Sequence, residues 1–112
     1  MASSNSSRDT DHRLLHLSAD DNVCVARVAL VPGERVSFQG NVITVLNLVP
    51  VWHKVAVRPV SEGERVVKHG TPIGSATRPI AAGDHVHAHN LRSDYVPAHT
   101  ARSAAARPEE AQ

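Results

Sequence analysis

Three histidines at alternate positions, His85, His87 and His89, stand in the run Gly83-Asp84-His85-Val86-His87-Ala88-His89-Asn90-Leu91. Imidazole titrates near neutrality, ligates metals when neutral and carries protons between partners. In an extended strand, side chains alternate faces with a period of two. The spacing therefore predicts a histidine strand over 86–91, with the three imidazoles on one face and Val86 and Ala88 turned into a core. His87 and His89 are the candidate metal ligands of that face, since neutral imidazole is a common ligand. Two ligands are too few for a tight site, so others must come from elsewhere. His53 and Lys54 adjoin at the start of another strand candidate. His53 is a third ligand or a proton carrier, and with His85 it makes up the catalytic pair of candidates. Lys54 and Lys68 are candidate point charges for a substrate carboxylate, with Arg78 a weaker one.

Plainer readings stand beside these. Alternating histidines also suit a surface row bonded to its neighbours, Lys54 a protected sheet edge, and Lys68 a solvated turn. His12 and His16 lie near the N-terminal tail and suggest no specific role. Other chemistries are excluded by residue type. One cysteine cannot build a zinc finger. A cupin needs a glutamate soon after its second histidine and a later glycine, and no glycine follows Gly83. There is no Gly-x-Ser-x-Gly nucleophile elbow.

The elements that must hold these side chains are marked by a weak internal repeat. Leu30-Val31-Pro32-Gly33-Glu34-Arg35-Val36, Val60-Ser61-Glu62-Gly63-Glu64-Arg65-Val66 and Ile80-Ala81-Ala82-Gly83-Asp84-His85-Val86 each read apolar, two turn residues, Gly, acid, variable, Val. The pattern predicts a tight turn between strand ends, with Gly supplying φ > 0 and Pro32 presetting φ before it. Strand candidates are 23–30, 41–49, 53–57, 66–67 and 73–77 besides the histidine strand, and a brief helix or turn is expected near Ser18-Ala19-Asp20-Asp21, with Ser18 as N-cap. Short strands, Gly and Pro turns and little helix signal predict a compact all-β fold, a small barrel or clip.

Composition bounds the rest. Aromatic residues make up 3% of the 112 residues, so the core must be built from Val, Ile, Leu and Ala. Trp52 and Tyr95 are candidate exposed apolar contacts for a partner. A formal net charge of +1 gives no electrostatic case for nucleic acid or an anionic membrane. Cys24, between valines, reads as a small buried hydrophobe. No signal-like segment and no apolar run of about 18 residues is present, which points to a soluble, cytoplasmic protein. The polar stretches 1–12 and 96–112 are expected to be disordered tails around a folded unit over 13–95. A unit of that size has a marginal core and often leans on a partner.

Several pieces together resemble the SAF (antifreeze-like, β-clip) domain of the altronate and galactarate dehydratases. They are Asp21-Asn22-Val23 with Val25-Ala26, His53-Lys54-Val55-Ala56, Gly63-Glu64 with Val66, Lys68-His69-Gly70 with Pro72-Ile73-Gly74, and Gly83 with His85-Val86-His87-Ala88-His89-Asn90-Leu91. The segment between Val36 and Leu48 carries no family motif. The resemblance implies an SAF-like β-clip barrel that is either the N-terminal part of a sugar-acid dehydratase or a separate small subunit. The large catalytic part does not fit in this length, so the resemblance implies the small subunit of a two-chain hydro-lyase, inactive alone. It also implies a divalent metal, Fe2+ in the dehydratases. The related sulfolactate sulfo-lyase, which eliminates sulfite, is one alternative, and a non-catalytic sugar-acid-binding module is another. Dehydrating a small hydroxy acid passes through an enediolate with two negative charges. That demands a metal or fixed cations at the carboxylate, a base for the carbon proton and an acid for the leaving group.

Overall fold

The structure is a computed structural model that describes residues 10–93. Most of both expected tails, and Tyr95, lie outside the described residues. Among those residues there are strands and no helix, so the protein is a small all-β domain, as the SAF-like reading requires. Among the described residues no helix is long and apolar enough to cross a membrane. The Ser18–Asp21 segment is a turn, and the capping runs opposite to expectation: the Ser18 amide donates to the Asp21 carboxylate at 3.1 Å.

The strands in chain order are β1 (Leu14–Leu15), β2 (Val23–Ala26), β3 (Arg35–Phe38), β4 (Asn41–Thr44), β5 (Lys54–Ala56), β6 (Arg65–Lys68), β7 (Thr71–Ala76), β8 (His85–Val86) and β9 (Leu91–Ser93). A four-stranded antiparallel sheet in the order β1-β2-β5-β8 forms the centre. Alternation along its strands gives it two apolar faces. Cys24, Ala26 and Val55 pack with Val36, Phe38 and Ile43 of the β3–β4 hairpin. Val23, Ala56 and Val86 pack on the other side with Val66 and Ala76 of the β6-β7-β9 sheet. Each such Val or Leu contributes about 1.5–3 kcal/mol when fully buried, which is how a core almost without aromatic rings holds. Cys24 belongs to that core, and burial pushes its thiol up to about 12, so it is inert.

The repeated segment makes the expected turn in all three copies. Gly33, Gly63 and Gly83 take φ of 93°, 85° and 97°. In each, the acid's amide donates back across the turn, Glu34 to Val31 at 3.1 Å, Glu64 to Ser61 at 2.9 Å and Asp84 to Ala81 at 3.0 Å. The acid's carboxylate then accepts from the amide three residues earlier, at 2.9, 2.7 and 2.8 Å. That reciprocal pair explains why the position is acidic. A fourth turn of the same kind, Val49-Pro50-Val51-Trp52-His53, has Trp52 in the place of glycine with φ 70° and His53 in the place of the acid. His53 donates its amide to the Pro50 carbonyl at 3.0 Å.

The four turns pair off. Leu30 bridges Val49, and Val60 bridges Ile80. The first ladder continues in one register into β2–β5 and the second into β5–β8. The chain is thus an internal duplication of about 30 residues, with one extra residue at the β6–β7 bulge after Val66. Gly83 is the most constrained of the repeated glycines. A Cβ there would run into the Thr44 carbonyl, whereas Cβ atoms at Gly33 and Gly63 would meet open space. Thermal melts of the three Gly→Ala variants should therefore separate. Gly33→Ala and Gly63→Ala should each cost about 1–2 kcal/mol for the positive φ alone, and Gly83→Ala clearly more.

Candidate histidine site

The histidine segment departs from the expected strand. β8 stops at Val86, and residues 87–90 form a turn in which the Asn90 and Leu91 amides donate to the His87 carbonyl at 3.0 and 2.9 Å. Val86 is buried as expected, but Ala88 is exposed. The cause is Asn90, 4% exposed. Its Oδ1 accepts from the His87 amide at 2.9 Å and its Nδ2 donates to the His85 carbonyl at 2.8 Å. A buried amide that ties both ends of a short segment favours a turn over an extended run.

The turn still gathers imidazoles. His53, which opens β5, and His85 on β8 lie on neighbouring strands, and His53 Nδ1 is 2.9 Å from His85 Nε2. The His87 ring stacks against both, with centroids 4.7 Å from His53 and 5.4 Å from His85. One nitrogen each from His53, His85 and His87 lie within 4.8 Å of one another. His89 sits at the rim, its ring tilted against His85 at 5.4 Å; it is not among the three that converge. The Asn47 side chain, in the segment without a motif, accepts from the His85 amide at 2.8 Å and covers the outer edge of β8. Neither Asn47 nor the fourth turn was legible as part of the site. His53, expected as a third ligand or a proton carrier, is brought beside His85 and His87.

The electrostatics suit ligation. Burial, and then the charges that neighbouring His53, His89, His87 and Lys54 would carry, push His85 down to about 4. It is therefore neutral at physiological pH, the form that binds metals. Two nitrogens about 2.1 Å from one ion at a right angle are about 3.0 Å apart, close to the His53–His85 separation of 2.9 Å. His87 is exposed and free to close onto the same point. The donor set fits a borderline first-row divalent metal with coordination positions left over.

The lysines lie elsewhere. Alternation places Lys54 on the opposite face of β5 from His53, level with Val25 and Val86. Burial, and then the nearby charge of Lys68 on β6, lower the Lys54 pKa. Among the described residues the ion pairs involve neither lysine. Arg78 is exposed on the loop before Ile80. Asp21 and Asn22 are buried braces. Asp21 accepts from the amides of His69 at 2.7 Å and Gly70 at 2.8 Å. Asn22 accepts from Val67 at 2.9 Å and donates to Arg65 at 3.0 Å. Together they dock the hairpin that carries Lys68. An open pocket lined by Glu62, Gly63, Ser75, Ala76, Thr77 and Arg92 contains none of the histidines.

Comparison with known proteins gives a consistent set of similarities. The family model described as the altronate/galactarate dehydratase SAF domain matches residues 12–94. The chain is 42% identical to altronate dehydratase of Escherichia coli over 80 residues, which is 71% of this chain and 16% of that one. It is 34% identical to altronate dehydratase of Bacillus subtilis over 80 residues, again 16% of that protein. It is also 39% identical over 49 residues to the (2R)-sulfolactate sulfo-lyase subunit alpha of Chromohalobacter salexigens, covering 44% of this chain and 52% of the subunit. The chain thus spans about a sixth of the length of the altronate dehydratases it matches.

Proposed function

We propose, for a chain that belongs to the altronate/galactarate dehydratase SAF-domain family, that it is the small subunit of a cytoplasmic hydro-lyase. The large catalytic chain would be separate, and the reaction would remove water from a sugar acid of the altronate or galactarate type. The observation that carries this reading is the convergence of His53, His85 and His87 at one edge of the central sheet. Three imidazoles would leave half the positions of a six-coordinate ion open to substrate and partner, which suits a shared site better than a structural one.

His53, His85 and His87 would hold a divalent metal such as Fe2+, which supplies Lewis-acid polarisation of the substrate's oxygens when bound. The chain's own residues carry the remaining roles. Asn47 and Asn90 fix the backbone of the histidine segment, so the imidazoles need little reordering. His89, exposed at the rim, would take or give a proton at the leaving hydroxyl. Lys54 and Lys68 lie across the sheet from the imidazoles, so the substrate carboxylate at this site would be met by the metal or by the partner chain. The similarity to sulfo-lyase alpha subunits supports a second reading, elimination of sulfite from a sulfonated hydroxy acid.

Affinity purification of the tagged chain from its native cells, with metal analysis and assays on altronate, galactarate and sulfolactate, tests the reading. A co-purifying large chain, roughly one metal per small subunit, and turnover only by the complex are expected. A stable chain that captures no lyase partner and binds no divalent metal would reduce it to a free-standing module.

A further inference from the structure

The internal duplication offers a control for reading the surface, because each outer position of the first half has a counterpart in the second. Val28, Val31, Leu46, Leu48, Val51 and Trp52 are exposed, from 44% for Val28 to 64% for Trp52. All six lie in the two connections that join β2 to β3 and β4 to β5. The Leu30–Val49 bridge and the ladder that runs on into β2–β5 set Val31 opposite Leu48 and Val28 opposite Val51. Leu46 donates its amide to the Gly83 carbonyl at 2.9 Å beside the histidine strand. The turns and hydrogen bonds of the second half put Arg58, Ser61, Thr77, Pro79, Ala82 and Gly83 in the same six places. Inward positions keep their apolar character in both halves: Ala26 and Ala56, Leu30 and Val60, Val36 and Val66, Val49 and Ile80 are all buried. The fold therefore needs the inner residues and does not need the outer apolar ones. Six large apolar side chains together expose on the order of a few hundred Å2, a size at which a patch on a small monomer marks a contact surface.

Trp52 adds an independent observation. It holds φ 70° where the other three turns have glycine. A bulky residue in that region is strained by roughly 1–3 kcal/mol, and a side chain 64% exposed does not recover that by packing within the chain. The patch is also continuous with the histidine site. Trp52 precedes His53, and Asn47, between Leu46 and Leu48, holds the His85 amide.

We propose that this face, centred on Trp52 and Leu48, is the docking surface for the large catalytic chain of the lyase, so that docking closes the partner over His53, His85 and His87. The inference rests on the two-chain reading above. It commits to that occupant for two reasons. The matched segment is only 16% of each altronate dehydratase, in which the rest of the chain is available to cover it. And a surface that borders the histidines must be covered if open metal positions are to be completed by another chain.

The experiment compares the purified complex with the isolated chain by hydrogen exchange, and measures binding of the co-purified large chain to Val28→Arg and Trp52→Gly. These variants install the residues that the second half uses at the same places. Amides in 28–31 and 46–52 should be protected in the complex. Each variant should weaken binding at least 10-fold, while the melting temperature of Trp52→Gly holds or rises, an outcome that a merely structural tryptophan would reverse. A complex that forms normally and leaves these segments unprotected, or that tolerates both variants, overturns the surface and leaves the two-chain reading standing. Failure of the wild-type chain to bind any lyase chain overturns both. Self-association of the isolated chain that Val28→Arg abolishes, with no competition from the large chain, would assign the face to a second copy instead.

Discussion

Asp21→Ala should remove roughly half of the domain's stability. The carboxylate is 1% exposed and accepts from the amides of Ser18, His69 and Gly70. Removing it leaves buried N–H groups without an acceptor, each costing about 1–3 kcal/mol. Against a total stability on the order of 5–10 kcal/mol for a domain of this size, a loss of about 4 kcal/mol leaves the variant folded but with a much lower urea midpoint. Urea denaturation of the two proteins measures it, and an unchanged midpoint would refute the role. The pH dependence carries the same signature. Burial raises the Asp21 pKa, but the amides of Gly70 and His69, the adjacent His16 and the Ser18 amide outweigh it and hold the carboxyl below its ordinary range. A depressed carboxylate pKa stabilises the native state above the unfolded value, and that contribution is lost as pH falls through the folded one. Asp11 acts in the same direction, held down chiefly by its bonds to the Arg13 guanidinium. Stability should thus fall below about pH 4, and an Asp21→Asn variant that still folds should lose part of that acid slope.

The second large effect concerns the site. On the two-chain lyase reading proposed above, His53→Ala, His85→Ala and His87→Ala should each lower turnover of the complex at least 100-fold and reduce bound metal. Their melting temperatures should stay near that of the parent, because these rings are half-buried or exposed. His89→Ala should keep the metal and lose less activity, since its ring touches only the rim of the group. Elemental analysis beside steady-state kinetics separates the two classes. Loss of metal in His89→Ala with retention in His53→Ala would point instead to the pair His87 and His89 read from the sequence.

That contrast shows how far the residues alone carried the site. A period of two is the spacing of a strand face, and it correctly marked the histidines as a group. It could not register Asn90, whose bonds to the backbone of His85 and His87 convert the segment into a turn. The same limit hid the fourth turn. Three copies were legible because glycine announces positive φ, whereas Trp52 takes that conformation against its preference. The all-β fold was legible from valine-rich runs and Gly turns. The short strands β1, β3 and β9 were not, since two to four residues carry too little pattern. Lys54 and Lys68 were legible as charges, but their separation from the histidines by the thickness of the sheet depends on strand pairing, which no local pattern encodes.

The shared use of β5 by both ladders has a kinetic side. Lys54–Ala56 is the second strand of the Leu30–Val49 ladder and the first of the Val60–Ile80 ladder, so the two copies are interlocked through one segment. During synthesis the first ladder can close once residue 56 has left the ribosome, while β8 and the Asn90 turn must wait some 30 residues more. Non-local pairings of this kind form slowly. The imidazole cluster is consequently among the last parts of the domain to be assembled, and until β8 pairs with β5 only His53 of the three is held on the central sheet.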